Sequence, residues 1–160
     1  MALKSSWLTG ISFGLTSGVI TTLGLLTGLV ASTNSKMAVL GGIFTIAVAD
    51  ALSDALGMHI SQESNAGTTK KSVWEATVAT ALTKFIIAIT FAVPVLLFGL
   101  VSATIISVIW GIILVSLLSY RMARSKNEKP FGVIFEHVSI TVLVVFLTYF
   151  IGDFIGHIFQ

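Results

Sequence analysis

Long apolar stretches alternate with short polar ones along the whole chain. The apolar stretches run over about residues 7–30, 37–60, 74–97, 101–120 and 133–158. Each is close to the roughly 20 residues that an α-helix needs to cross the hydrocarbon core of a bilayer. The short alternating segments typical of a membrane β-barrel are absent from the sequence. The pattern predicts an all-α polytopic membrane protein, in which residues 1–160 form one bundle of five transmembrane helices.

Polar and helix-breaking residues separate these stretches. A short polar connection covers residues 32–36, and a longer polar loop covers residues 61–71. Pro94 predicts a kink or an end in the third span, because proline removes a backbone donor and clashes with the preceding turn. A break near Phe98 and Gly99 is expected to lead into the fourth span.

Composition supports this class of protein. Of the 160 residues, 55% are hydrophobic and 10% are charged, and the mean hydropathy of +1.00 is too high for a soluble domain of this size. The absence of cysteine excludes disulfides and thiolate metal ligands. The formal net charge is only +2, and the aromatic residues form no stacking motif. We therefore expect membrane lipid as a partner and no nucleic acid.

The basic residues predict the orientation of the bundle. With five spans, one end carries most of them and the other end carries Lys36. Because cytoplasmic loops are enriched in lysine and arginine, the N-terminus is predicted to be cytoplasmic. The basic residues on that predicted cytoplasmic side are Lys4, Lys70, Lys71, Arg121, Arg124, Lys126 and Lys129.

Glycines recur every four residues in the first span. They stand at Gly10, Gly14 and Gly18, and again at Gly24 and Gly28. Small residues at this spacing allow another helix to approach closely. The spacing leaves two interpretations open, which are packing within one subunit and the contact surface of a dimer.

Two carboxylates stand near the end of the apolar run that begins at about Met37. Asp50 and Asp54 are four residues apart, so they share one face of a helix, and Met58 extends that stripe by one turn. An aspartate at the centre of a membrane helix costs roughly 2.5 to 3.5 kcal/mol on insertion scales and usually faces a bundle interior or a water-filled path. The pair therefore predicts a functional site.

Carboxylate oxygens suit Mn²⁺, Mg²⁺ and Fe²⁺. If one carboxyl of the pair holds a proton until metal arrives, binding of the metal releases that proton. In the alternative interpretation, the aspartates hydrogen-bond to neighbouring helices or pair with Lys84. Lys84 is then either their counter-ion or a side chain that reaches the membrane interface. The candidate metal ligands in and near this stretch are Asp50, Asp54, Ser17, Met58, Thr21 and Thr22.

Glu63 and Glu75 flank the loop between the second and third spans. They are candidate metal ligands at a cytoplasmic access site, or else solvated residues of the loop. His59 stands near the same membrane edge, where a lone histidine is more often hydrogen-bonded or solvated than a ligand.

The last span carries a histidine near each end. Asp153 and His157 are four residues apart, a spacing that can bind metal or relay protons, or form an exposed pair at the far surface. Glu136 and His137 are expected to form an interfacial pair, since a carboxylate suits the start of a helix.

Motifs of common enzymes are absent from the sequence. It has no glycine-rich phosphate loop, no Ser/His/Asp arrangement and no His-Glu-x-x-His zinc site. Intramembrane proteases that use two aspartates usually take them from different helices, whereas Asp50 and Asp54 share one. We predict no enzymatic activity, no catalytic residue and no bound cofactor.

Three segments resemble the vacuolar iron transporter family, which includes yeast vacuolar iron and manganese carriers and small prokaryotic members. Residues 49–57, ADALSDALG, resemble the family's Ala-Asp-Gly-x-Ser-Met-x-Leu-Gly segment, and residues 61–64, SQES, resemble the polar segment that follows it. Residues 14–29, GLTSGVITTLGLLTGL, are similar to the pattern of Asp-Gly, an apolar stretch and Ala-Gly-Leu. Residues 147–156, LTYFIGDFIG, resemble the Thr-Tyr-x-Ile-Gly-x-x-x-Gly ending.

The sequence departs from this family at two positions and in one loop. Ser17 stands where the family usually has a metal-binding aspartate, and Asp54 stands where it usually has methionine. A short polar loop replaces the glutamate-rich cytoplasmic insert of plant members. One interpretation is that the carboxylate has moved from the first span to the second while a ligand stays in the same cavity.

The resemblance implies a homodimer that exports a divalent metal ion, Fe²⁺ or Mn²⁺, from the cytoplasm in exchange for protons. The membrane would be the cell membrane of a prokaryote, or a vacuolar or other organelle membrane of a eukaryote. A second interpretation is a membrane scaffold or partner-binding protein that kept the fold without the iron site, and a third is a cation channel without proton coupling. Transport would be favoured if Ser17, Asp50 and Asp54 face one cavity, and the scaffold if they are scattered toward lipid headgroups or separate contacts.

Overall fold

A computed structural model describes residues 2–159 of the chain and the side chains of residues 6–159. This part is helical and contains no strand. Helices long and apolar enough to cross a membrane run over Ser6–Thr33, Lys36–Glu63, Lys70–Leu97, Leu100–Ser125 and Pro130–Phe159. The predicted all-α bundle of five spans is therefore confirmed. The helices are α1 (Ala2–Thr33), α2 (Lys36–Glu63), α3 (Lys70–Thr90), α4 (Ala92–Leu97), α5 (Leu100–Ser125) and α6 (Pro130–Phe159).

The third span is broken at Phe91, between α3 and α4. Pro94 has no N–H to donate to the carbonyl of Thr90, four residues earlier, and its ring clashes with that carbonyl. At the break, the N–H of Phe91 donates to the carbonyl of Ala88, three residues earlier, at 3.1 Å, as in a tighter helical turn. The predicted effect of the proline is confirmed, and the helix breaks three residues before it. The span then ends at Phe98, as expected.

The first helix, α1, lies at the centre of the bundle. It contacts α2, α3, α5 and α6, and its contacts with α3 and α6 are the most extensive in the fold. Since successive spans reverse direction, α1, α3 and α6 run parallel to one another. Most large apolar side chains of the other helices point outward, as expected of a surface that faces lipid.

The first glycine stripe of α1 packs against α3. A Cβ at Gly10 would overlap the backbone of Ala76, and a Cβ at Gly14 would overlap that of Thr80. The contact is looser at Gly18, where a Cβ would lie 3.3 Å from the Ile87 side chain and 3.4 Å from Cα of Lys84. This close approach sets the distance between α1 and α3 at the level of the charged residues described below.

The second glycine stripe of α1 packs against α6. Gly24 lies against Thr148, and Gly28 lies against both Thr148 and Gly152. The hydroxyls of Thr27 and Thr148 are 2.9 Å apart at the same level. Both glycine stripes are therefore used for packing within one subunit, which is one of the two interpretations that the sequence left open.

Candidate functional site

Four polar side chains from three helices meet inside the bundle. Lys84 of α3 places its Nζ 2.6 Å from Oδ2 of Asp50 and also pairs with Oδ2 of Asp54. Ser17 of α1 donates to Oδ2 of Asp54 at 2.6 Å and accepts from Nζ of Lys84 at 2.8 Å. We call Ser17, Asp50, Asp54 and Lys84 the ion-pair cluster.

The cluster lies halfway along the spans that carry it. Ser17 is near the middle of Ser6–Thr33, and Lys84 is near the middle of Lys70–Leu97. Asp50 is also central, because α2 continues to Glu63 and so extends beyond the apolar run read from the sequence. Ionisable groups at this depth cost free energy unless they are paired, and they commonly mark ion or proton pathways.

Local packing explains why a lysine is accommodated here. The buried stripe of α2 at this level consists of Ala47, Ala51 and Ala55, which leaves room between α2 and α3. Gly18 brings the backbone of α1 against Lys84. The Lys84 side chain is only 2% exposed, so its ammonium group depends on the two carboxylates and the Ser17 hydroxyl in place of water.

The two carboxylates of the cluster are held differently. Asp54 accepts hydrogen bonds from Ser17 and Lys84. Oδ2 of Asp50 is close to Lys84 but is not aligned for a hydrogen bond, and it has no hydrogen-bond partner among the described residues. Asp50 is therefore held at Oδ2 by the ion pair with Lys84 alone, whereas Asp54 also accepts hydrogen bonds. With all three groups ionised, two negative charges face one positive charge, and the cluster carries a net negative charge.

The other predicted ligands from the first two spans are less directly engaged. The hydroxyl of Thr21 donates to the carbonyl of Ser17 at 2.9 Å. The hydroxyl of Thr22 is fully buried and has no hydrogen-bond partner among the described residues. Met58 is buried one turn beyond Asp54. Within residues 2–159 no three carboxylate or histidine side chains come together, so a cation at the two aspartates would need hydroxyl or water oxygens to complete its ligand shell.

Glu63 and His59 lie in a separate cavity of about 270 Å³ where α2 ends and α3 begins. Nδ1 of His59 is 3.1 Å from the hydroxyl of Thr77, and the imidazole lies edge-on to the ring of Trp74 at a centroid distance of 4.8 Å. No signal in the sequence pointed to Thr77 as the partner of this histidine. We call this space the loop cavity, and its lining residues are His59, Glu63, Thr68, Lys70, Val73 and Trp74.

Glu75 does not share the loop cavity with Glu63. It lies one turn into α3 and is half-buried. Its Oε2 is buried and has no hydrogen-bond partner among the described residues. The two glutamates that were considered together from their closeness in sequence therefore occupy different surroundings.

The polar residues of the last span also lie apart from the cluster. Nε2 of His157 is 3.6 Å from Oδ2 of Asp153, and these side chains are 80% and 46% exposed. They form an exposed pair at the C-terminal end of α6. Nδ1 of His137 is 2.8 Å from the hydroxyl of Ser119 of α5, while Glu136 is exposed.

Known proteins give the cluster no further assignment. Neither a protein-family model nor a curated protein sequence matches this chain. Of the residues that carry the resemblance in the second span, Asp50 belongs to the ion-pair cluster, whereas Ser53 and Gly57 lie on the exposed side of α2.

Proposed function

We propose that this protein is a membrane transporter that exchanges a divalent transition-metal ion, Fe²⁺ or Mn²⁺, for protons. Asp50 and Asp54 bind the ion, and Lys84 occupies the same carboxylates when the ion is absent. The observation that supports this proposal is the Lys84 ammonium group, buried halfway through the bundle and held by both aspartates. Ser17, from a third helix, contributes a hydroxyl to the same site.

Competition for the carboxylates couples the ion to the proton. In a site of low dielectric constant, a positive charge cannot leave two carboxylates without a replacement. An arriving divalent ion takes over the oxygens that bind Lys84 and repels the ammonium group. If Lys84 then gives up its proton, the two carboxylates and the divalent ion sum to zero charge, so release of the proton favours binding of the ion.

The donor set favours a divalent ion that accepts oxygen ligands. Two carboxylates neutralise one doubly charged ion, and the Ser17 hydroxyl adds an oxygen. Asp50 is the carboxylate with fewer partners, because its Oδ2 is paired with Lys84 but has no hydrogen-bond partner among the described residues. The choice of iron or manganese, export from the cytoplasm and a homodimeric assembly follow from the resemblance to vacuolar iron transporters and from the distribution of basic loops.

A membrane scaffold without transport activity is the second candidate function. It is favoured by the completeness of the ion pairing, since Lys84 contacts both carboxylates and ties α3 to α2. In that case the cluster only holds the helices together, and no ion replaces the ammonium group.

Ion flux into proteoliposomes distinguishes the two candidates. We would measure uptake of Mn²⁺ and Fe²⁺ with a pH-sensitive dye inside, for the native chain, Asp54→Asn and Lys84→Gln, with Glu128→Gln in the exposed α5–α6 loop as the matched control. We expect saturable uptake with a coupled pH change in the native chain and the control. Asp54→Asn should abolish uptake, and Lys84→Gln should uncouple uptake from the pH change.

Three other results would count against the exchanger. Flux without a pH change in the native chain would indicate a channel. Flux unaltered in Asp54→Asn would place the ion elsewhere. Absence of flux for both metals under every pH gradient, in protein that is folded in the liposomes, would favour the scaffold.

A further inference from the structure

We propose that the loop cavity binds the headgroup of an ethanolamine phospholipid, with its ammonium group at His59 and Glu63 and its phosphate at Lys70. This inference uses no residue of the ion-pair cluster and does not depend on the proposed function. It rests on the arrangement of hydrogen-bond acceptors, opposite charges and an aromatic ring around one cavity of about 270 Å³.

When the His59 ring is neutral, the hydrogen bonds around it leave an acceptor nitrogen facing Glu63. The single hydroxyl proton of Thr77 is donated to the carbonyl of Val73 at 2.8 Å. The Thr77 oxygen then accepts from Nδ1 of His59 at 3.1 Å, which fixes the proton of the neutral ring on Nδ1. Nε2 keeps its lone pair and lies 4.0 Å from Oε2 of Glu63, too far for a hydrogen bond between the two.

Two acceptors at this separation suit a primary ammonium group. A nitrogen about 2.8 Å from each of them subtends an angle of roughly 90°, which two of its N–H bonds can serve. Trp74 borders the same space and offers an aromatic ring to the positive charge. A quaternary choline group has the same charge but no N–H, so it cannot make these two hydrogen bonds.

Lys70 supplies the complementary charge on the other helix. It lines the same cavity as Glu63, and the ion pairs among the described side chains do not include it. A ligand that carries both an ammonium group and a phosphate can satisfy both residues. A divalent metal ion fits less well, because the lysine repels it and the cavity offers one carboxylate and one imidazole.

The position of the cavity points to a lipid as the source of this headgroup. It lies where one spanning helix ends, at Glu63, and the next begins, at Lys70. Trp74, which is 60% exposed, stands at the same level, and tryptophan is typical of the interface where headgroups reside. The Glu63 side chain is 72% exposed, so the cavity is open to the membrane surface.

Native mass spectrometry of the purified chain tests this assignment. We would titrate phosphatidylethanolamine, phosphatidylcholine and phosphatidylglycerol with identical acyl chains into the detergent-solubilised protein. The variants are Glu63→Gln and Lys70→Gln, with Glu128→Gln and Lys129→Gln in the α5–α6 loop at the same end of the bundle as matched controls. We expect phosphatidylethanolamine to bind at least about tenfold more tightly than phosphatidylcholine. Glu63→Gln, unlike the controls, should remove this preference, and Lys70→Gln should weaken the binding of both lipids because both carry the phosphate.

Four results would overturn the proposal. Equal binding of the ethanolamine and choline lipids would show that the N–H donors are not recognised. A preference for phosphatidylglycerol would indicate a simple anion site at Lys70. Soluble phosphoethanolamine that binds as tightly as the lipid would remove the membrane as the source. Displacement of the lipid by Mn²⁺ in the native chain, lost in Glu63→Gln, would identify a metal site instead.

Discussion

Gly152 of α6 lies directly against the carbonyl oxygen of Gly28 of α1, with no room for a side chain between them. The two helices run parallel here, and the obstacle that a larger residue would meet is backbone, which cannot move aside as a flexible side chain can. The contact therefore fixes the distance between α1 and α6 at this level.

Gly152→Ala should destabilise the bundle by about 1 to 3 kcal/mol, the usual cost of overpacking. The methyl group would overlap the Gly28 carbonyl and force α6 away from α1. Unfolding of the detergent-solubilised chain measures this change. Gly41→Ala in α2 is the matched control, because open space surrounds that position and alanine favours a helix by up to about 1 kcal/mol. Equal stability of the two variants would show that α1 and α6 do not meet in this way.

Lys84→Met should lower the free energy of unfolding by about 3 to 5 kcal/mol, because it leaves two carboxylates inside the bundle without their counter-ion. Adding Asp50→Asn and Asp54→Asn to the same chain removes those charges and should recover much of the loss. The triple variant should still be inactive in ion flux. A triple variant no more stable than Lys84→Met would indicate that the lysine acts through its packing and not through its charge.

Moving the carboxylate from position 54 to position 17, with methionine in its former place, should preserve transport. Ser17 and Asp54 touch through a 2.6 Å hydrogen bond, and Lys84 reaches both. In Ser17→Asp/Asp54→Met the carboxylate moves to the first helix but stays within reach of Lys84 and of the bound ion. We expect metal uptake close to that of the native chain from the double variant and little from Asp54→Met alone. Equal inactivity of both folded variants would contradict a shared site.

Lys36→Gln should weaken the attachment of α4 to α2. Nζ of Lys36 donates to the carbonyl of Leu96 at 3.0 Å and to that of Phe98 at 3.4 Å, where the broken third span ends. Loss of these bonds should lower the free energy of unfolding by no more than about 0.5 to 1.5 kcal/mol, because the side chain is exposed. Hydrogen exchange of residues 92–98 measures the effect, with Lys71→Gln as the control. Unchanged exchange rates would assign Lys36 no structural role.

The spans could be predicted from the sequence because a bilayer demands long apolar helices. Each predicted span lies inside an observed span, the third of which comprises α3 and α4. Each observed span begins before the predicted one and most end after it, since polar residues such as Lys36 and Glu63 continue the helical hydrogen bonding beyond the apolar run. The break in the third span was also readable, because the effect of Pro94 on the carbonyl of Thr90 is local.

The partners across helices could not be derived in the same way. The spacing of Asp50 and Asp54 fixes their common face on α2, but not which helix that face meets. The meeting with Ser17 and Lys84 depends on how α1 and α3 are rotated, to which the close contact of Gly14 with the backbone of Thr80 and Lys84 contributes. For the same reason, the sequence suggested Lys84 as a counter-ion without distinguishing that role from a side chain extended to the interface.

Histidine partners were missed because a hydroxyl that receives a side-chain hydrogen bond has no sequence signature. The hydroxyls of Thr77 and Ser119 each donate a hydrogen bond to the carbonyl four residues earlier in the same helix. Threonine and serine commonly do this within helices, with or without a histidine nearby. Only the packing of α2 on α3 and of α5 on α6 reveals that His59 and His137 use these oxygens.

The central position of α1 also sets an order of assembly. During synthesis α1 enters the membrane before the other described helices, and its surface at Gly10 and Gly14 stays unpacked until α3 has been inserted. Its surface at Gly24 and Gly28 stays open until α6, the last helix of the bundle, has been inserted. Among the described spans, the first to be synthesised is thus the last to complete its packing, and until then the glycine surface of α1 is exposed to lipid and to other nascent chains.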